Sequence, residues 1–399
     1  MMEKSGSNPH CFDGSNPDLQ RPLRRVWVAG MWGVTALGNT IEDTWRHILQ
    51  GNTGILPMDR FSTETYMSDY AACIPGMPVS AGRSRMLDML ERLTVQIGPL
   101  PENVLIITAT TKADIDLLEN IQNKKNVDHD EVLYPHRMPG IVANMTGSGN
   151  PGFNISAACV SASIAVGRAA SLISRGCHDA ILVCCMDFVS EFVFSGFSSL
   201  KILSPTPCQP FDRDRQGLSL GDGACAILLM AEDHARKDNR TCLGTIDGWA
   251  MSNDASHMTS PSRDAKGLVQ AICWAVNRAG IRLMDIGVIS AHGTGTIYND
   301  LMEITAFHKV FQTRQIPVYS VKGAIGHTLG AAGGMEVCLG IKALNTGLVP
   351  STIGLTTPMA EAMGMVSTVV RNVDTDFLMT TNSGFGGINS SIILGKSIA

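Results

Sequence analysis

Two stretches of this chain repeat one order of parts. Residues 153–176, FNISAACVSASIAVGRAASLISRG, read as a strand, a junction, a helix of small side chains and a terminating glycine. Residues 318–347, VYSVKGAIGHTLGAAGGMEVCLGIKALNTG, repeat that order, with Cys159 at the first junction and His327 at the second. A preceding pair echoes it. VLIITATT (104–111) runs into a helical pattern, as VISAHGTGT (288–296) runs into YNDLMEITAFHKVF. A chain that carries the same series twice is expected to fold as a duplicated α/β core, with corresponding junctions brought together at its centre.

The helix after Cys159 places Ala162, Ala165, Val166, Ala169, Ala170 and Ile173 on one apolar face, and Gly176 is positioned to end it. Other strand-like runs are ENVLIITATT (102–111), DAILVCCMD (179–187), GACAILLMAE (223–232), IGVISAHGTGT (286–296), IPVYSVKG (316–323), DFLMTTNSG (376–384) and NSSIILGK (389–396). Buried strands alternating with helices indicate α/β layering. Residues 1–24, rich in Ser, Asn, Gly and Pro, are expected to be a flexible tail. A first half over 25–240 and a second over 241–399 then follow.

At 399 residues the chain is long enough for two lobes or one large core. Its net charge of −5, with no long Lys/Arg run, offers no footprint for nucleic acid. No segment has the apolar run of a signal peptide or membrane span, so the chain is read as cytosolic. Eleven cysteines, an odd count placed mostly in apolar runs, are read as reduced core residues. Cys184 and Cys185 lack companions at zinc spacing, and no metal site is expected. GSGNPG (147–152) fits a dinucleotide-binding glycine pattern without the strand that must precede it.

Cys159 stands apart because it precedes a helix N-terminus, where unpaired N–H groups favour a thiolate over a thiol of ordinary pKa near 8.5. It is expected to be a nucleophile. His292 in AHGTGT and His327 in KGAIGHTLGAAGG sit in glycine-rich loops that let a ligand approach the backbone.

In this order, ACVSA, HGTGT, KGAIGHTLGAAGG and NSGFGGIN resemble the elongating β-ketoacyl-acyl carrier protein synthases of the thiolase superfamily; PFDRDRQGLSLGDGACAILL and MSNDASHMTSP add to the match, which covers most of 25–396. The resemblance implies a thiolase-like duplicated core, layered α-β-α-β-α with two central mixed sheets. It also implies a Cys–His–His enzyme: Cys159 takes an acyl group, while His292 and His327 assist decarboxylation of a malonyl unit before Claisen condensation. By the same resemblance Lys322 and Glu336 support the histidines. The backbone N–H groups of Cys159 and Phe385 form an oxyanion hole, Phe385 is a gate, and Thr294 and Thr296 bind phosphopantetheine. No bound cofactor is implied; the acyl carrier protein brings the phosphopantetheine and is the expected partner. A homodimer, or a heterodimer with a related ketosynthase-like chain, is expected through a sheet edge near the cysteine strand.

The sequence departs from the family at Ser383, where a phenylalanine is usual, at Gln216 in place of an aspartate, at Ile297 and Tyr298 after HGTGT, and in a compressed stretch over 80–111. These leave acyl length, saturation and a fatty-acid or polyketide pathway open. The rival to an active synthase is a non-catalytic partner subunit resembling a chain-length factor, which usually lacks the cysteine. A thiolase would carry a second cysteine near the C-terminus, and a coenzyme A-dependent initiating synthase an Asn in place of one His.

Overall fold

The computed structural model describes residues 23–77, 83–122 and 134–397. The expected tail lies almost wholly outside them, and so do parts of the compressed 80–111 stretch. Arg24, at the tail's end, is held in place: its guanidinium meets Asp179 at 2.6 Å and donates to the Ile173 carbonyl at 3.0 Å.

The main sheet uses ten strands of the described residues: β1 (Val26–Thr35), β2 (Leu105–Ala109), β3 (Asn150–Ile155), β4 (Ala180–Asp187), β5 (Gly223–Ala231), β6 (Gly244–Asn253), β7 (Ile286–Ser290), β8 (Val318–Tyr319), β9 (Phe377–Gly384) and β10 (Ile388–Gly395). Their order is β3-β2-β4-β5-β1-β6-β10-β9-β7-β8. Split between β1 and β6, the two halves have one topology. In the first, β1, β5 and β4 run antiparallel and β4, β2 and β3 parallel; in the second, β6, β10 and β9 run antiparallel and β9, β7 and β8 parallel. The duplication read from the sequence is therefore present strand for strand. The two expected sheets are the halves of one hydrogen-bonded sheet, joined where Trp27 pairs with Thr245 and Val28 with Gly244.

The helices that matter here are α1 (Ile41–Leu49), α2 (Arg85–Thr94), α3 (Met138–Thr146), α4 (Ser161–Ser174), α5 (Glu191–Ser199), α6 (Lys266–Ala279), α7 (Ile297–Phe311) and α8 (Ala332–Thr346). Thr40 caps α1, its hydroxyl accepting from the Asp43 N–H at 3.0 Å, and Gly51 with φ +78° follows its end. α4 and α8 form the central layer. The predicted face of α4 is fully buried, and its small side chains let it contact both half-sheets and α8.

Strand alternation divides the core. Leu105, Ile107, Ile181, Val183 and Cys185 pack on the central helices, whereas Ile106, Leu182 and Cys184 pack with α2 and α3 on the outer face. In the second half, Val288 and Leu378 face inward, while Ile289 and Met379 pack with α6 and α7. Five layers result, helix and strand alternating. Burial on both faces accounts for the nearly unbroken apolar composition of these strands.

Candidate active site

The junctions that carry functional candidates follow the carboxyl ends of parallel strands: Cys159 after β3, His292 after β7 and His327 after β8. Ala158, with φ +49°, turns the chain sharply just before Cys159. On the other side, Gly384 lies against this turn: a Cβ there would stand 2.9 Å from Val160 Cγ2 and 3.3 Å from the Cys159 nitrogen. A side chain there would press on both Val160 and the cysteine backbone.

The HGTG loop is shaped by two carboxylates three residues apart on α7. Glu303 accepts from the backbone N–H groups of His292 at 2.8 Å and Gly293 at 2.7 Å; Asp300 accepts from Thr294 at 3.0 Å and Gly295 at 3.2 Å. Gly295, with φ +82°, also approaches Gly217, whose carbonyl oxygen would lie 2.7 Å from an added Cβ. Burial lifts the Glu303 carboxyl to about 7, against the backbone donors that hold it down.

His292 and His327 meet edge to face, their ring centroids 5.2 Å apart. Lys322 Nζ donates to the His292 carbonyl and to Glu336 Oε1, each at 2.5 Å, and the Lys322–Glu336 ion pair is fully buried. Asn382 Nδ2 donates to Glu336 Oε2 at 2.5 Å and stands 3.1 Å from His292 Nδ1. A carboxylate only accepts, so the amide nitrogen faces Glu336; its second hydrogen then points at Nδ1, which places the His292 proton on Nε2. Ser163 on α4 donates to Asn382 Oδ1 and locks this orientation.

Burial first, and Lys322 second, push both imidazoles well below the ordinary histidine range. Each is neutral at pH 7, with one N–H. Among the described residues His327 has no hydrogen-bond partner at either ring nitrogen.

A cavity of about 310 Å³ is lined by Cys159, His292 and His327 together, along with Thr294, Thr296 and Phe385. The candidates for nucleophile, imidazole pair, arm binding and gate thus share one space. Phe385 stacks on Phe197 of α5, ring centroids 5.7 Å apart, and Gly386 and Gly387 after it both have positive φ. Ser383 lines the same cavity and donates to Asn389 at 2.7 Å.

Comparison with known proteins shows which family the chain is similar to. The model of the Beta-ketoacyl synthase N-terminal domain matches residues 23–86 and 106–235, and that of the C-terminal domain matches residues 243–356. The 3-oxoacyl-(acyl-carrier-protein) synthase 2 of Vibrio cholerae is 31% identical over 408 residues, covering 93% of this chain and 98% of its own. The chain belongs to the β-ketoacyl synthase family. Among solved structures, the ishigamide ketosynthase/chain length factor superposes with a TM-score of 0.86 at 26% identity, covering 94% of this chain and 99% of that one. A ketosynthase in complex with its chain length factor from Xenorhabdus doucetiae gives a TM-score of 0.79 at 27% identity, covering 96% and 99%.

In this β-ketoacyl synthase the resting state of Cys159 differs from expectation. Burial pushes the thiol up to about 11, although Lys112 and Lys322 both act to lower it. A helix terminus is worth about 1 kcal/mol, under one pKa unit, so desolvation prevails and the sulfur rests as a thiol. Sequence reading also missed Asn382, Asp300, Glu303 and Ser163. The i, i+3 carboxylates just after HGTGT were a legible signal for two of them; nothing in TTNSG distinguishes Asn382 from any strand residue. Among the described residues no group of three or more His, Cys, Asp or Glu side chains is arranged to hold a metal ion, and no helix is long and apolar enough to cross a membrane.

Proposed function

We propose that this chain is a 3-oxoacyl-(acyl-carrier-protein) synthase in which Cys159 carries the growing acyl chain. The carrying observation is the shared cavity of one thiol and two neutral imidazoles. In loading, Cys159 Sγ forms a thioester with the acyl carbon as the bond to the pantetheine sulfur breaks. The proton leaving Cys159 is matched by the one that the released pantetheine thiol takes up. The malonyl thioester then loses carbon dioxide, and the enolate oxygen is held by the N–H groups of His292 and His327, the two imidazoles that line the cavity. Its carbon attacks the Cys159 thioester, a C–C bond forms, and the sulfur leaves and regains a proton. The oxyanion of that step is assigned to the backbone N–H groups of Cys159 and Phe385.

Lys322 and Glu336 are assigned the support of the histidines, Thr294 and Thr296 the pantetheine amides, and Phe385 the gate. No resident cofactor enters; the arm belongs to the carrier protein. The convergence of sulfur and both imidazoles favours this catalytic reading over a non-catalytic partner subunit. We further assign the β3 edge to pairing with a second copy or a related ketosynthase-like chain, since β3 ends the sheet and exposes Phe153.

Intact-mass analysis after incubation with acyl-carrier protein, then malonyl-carrier protein, tests the reading. An acyl adduct on the wild type, lost in Cys159→Ala and discharged by malonyl-carrier protein, is expected; an adduct that survives Cys159→Ala overturns the assigned nucleophile.

A further inference from the structure

Strand β2 lies between the strand that leads to Cys159 and the strand that ends in Asp187. Its last residue, Ala109, pairs with Ile155 on β3 and with Cys185 on β4, so the chain leaves the sheet beside both. Asn154 on β3 donates to the Thr110 carbonyl at 3.2 Å and ties this exit to the cysteine strand. In the duplication, β2 between β3 and β4 corresponds to β7 between β8 and β9. The loop over Thr110, Thr111 and Lys112 is therefore the first-half counterpart of the loop that carries His292, and it too follows the carboxyl end of its strand.

One buried carboxylate organises this loop. Asp187 accepts from the hydroxyls of Thr110 and Thr111, each at 2.8 Å, and from the N–H of Gly330 at 2.8 Å, three residues beyond His327. The Thr111 hydroxyl commits its one hydrogen to Asp187 and so turns a lone pair to Lys112, whose Nζ donates to it at 2.6 Å. Lys112 is half-buried and, among the described residues, has no acidic partner at ion-pair distance. Its charge reaches both sides of the site. On the Cys159 thiol burial dominates, and Lys112 is the strongest influence in the opposite sense, ahead of Lys322, with Asp187 opposing them; on His327 Lys112 acts after burial and Lys322.

We propose that Lys112 is a positioning residue for acyl loading: tethered through Thr111 to Asp187, its ammonium presents a fixed positive charge to Cys159 and favours the anionic sulfur that attacks the acyl thioester. The inference rests on the synthase reading above. Lys322 is already paired with Glu336, and both imidazoles are neutral, so Lys112 is the cation acting on the sulfur that has no carboxylate paired to it. The buried thiol must give up its proton before Sγ bonds to the acyl carbon and the bond to the pantetheine sulfur breaks. A held cation in poorly solvated surroundings offsets that charge more than a solvated surface lysine does. Lys112 transfers no proton and stays an ammonium throughout.

The test compares the wild type with Lys112→Met, Lys112→Arg and Thr111→Val. Alkylation by iodoacetamide is followed at the Cys159 peptide by mass spectrometry, because Cys177 and Cys273 are exposed and react independently. At about pH 8, Lys112→Met is expected to alkylate about three- to tenfold more slowly and to load from acyl-carrier protein more slowly by a similar factor, while Lys112→Arg stays within about twofold of the wild type. Thr111→Val keeps the charge but loses its tether, and is expected to fall between the two. Rates in Lys112→Met or Thr111→Val that match the wild type, or an equal loss in Lys112→Arg, overturn the proposal. Alkylation needs no carrier protein, so the two readings fail separately: slower alkylation of Lys112→Met, with no loading even of the wild type, overturns the synthase reading and supports the charge on Cys159.

Discussion

Asn382 donates from β9 to the Nδ1 of His292, 3.1 Å away, and so fixes which nitrogen of that ring carries the proton. Asn382→Leu removes the donor while approximately keeping the volume. Condensation is expected to fall about 10- to 100-fold in kcat with acyl loading of Cys159 nearly unchanged. The same variant is expected to lose the single Nε2–H signature of His292 in the ¹⁵N spectrum of labelled imidazole. A retained signature and normal kcat would make Asn382 a bystander.

Burial that lifts the Cys159 thiol to about 11 makes its alkylation strongly pH-dependent. The thiolate is the reactive form, so the rate with iodoacetamide is expected to climb about tenfold per pH unit from 7 through 9. A plateau reached by pH 8 would show that the thiolate already prevails at rest.

Both imidazoles are held below the ordinary value of 6.5. Below that value the unfolded chain takes up protons that the folded chain refuses. Their contribution to stability is therefore complete above 6.5 and declines as pH falls toward the lower folded values. Chemical denaturation at several pH values checks this: replacing either imidazole with Ala is expected to flatten the decline on the acid side.

Lys322→Met leaves Glu336 buried without its cation, a loss of about 3–5 kcal/mol; Lys322→Met with Glu336→Leu is expected to recover most of it. Because Lys322 also lowers both histidines, the double variant is expected to move the acid limb of any residual condensation to higher pH. Urea unfolding and a pH–rate profile read the two effects separately. A limb that stays in place would deny Lys322 its influence on the imidazoles.

Gly384→Ala places a methyl group 2.9 Å from Val160 Cγ2 and 3.3 Å from the Cys159 nitrogen. Acylation is expected to slow at least about tenfold, with the overall fold kept, because the turn bearing the sulfur must shift. Wild-type acylation rates would mean that this approach has slack.

Much of this was legible in the chain because the parts repeat. Strand, junction, small-residue helix and stop glycine are local patterns, and they located Cys159 and His327 at equivalent places in the two halves. What sequence could not supply was decided by distant chain segments. Lys322 and Glu336 are fourteen residues apart yet meet at 2.5 Å, because a tight bend at Gly326 and Leu329 carries α8 back over the lysine. The thiol's state was misjudged because helix polarity is visible in sequence, whereas the depth of burial that opposes it depends on the whole core. Asn382 escaped notice because its role comes from three neighbours, on α4, α8 and the His292 loop, that no local motif joins.

Since β1 and β6 stitch both halves into a single ladder, and α4 and α8 each lean on both, neither half has an independent interior to retreat into. Swinging one lobe against the other would tear the layer on which the sulfur and the imidazoles stand. Admission of successive substrates therefore falls to peripheral segments such as 384–387, while the reacting groups keep station from one turnover to the next.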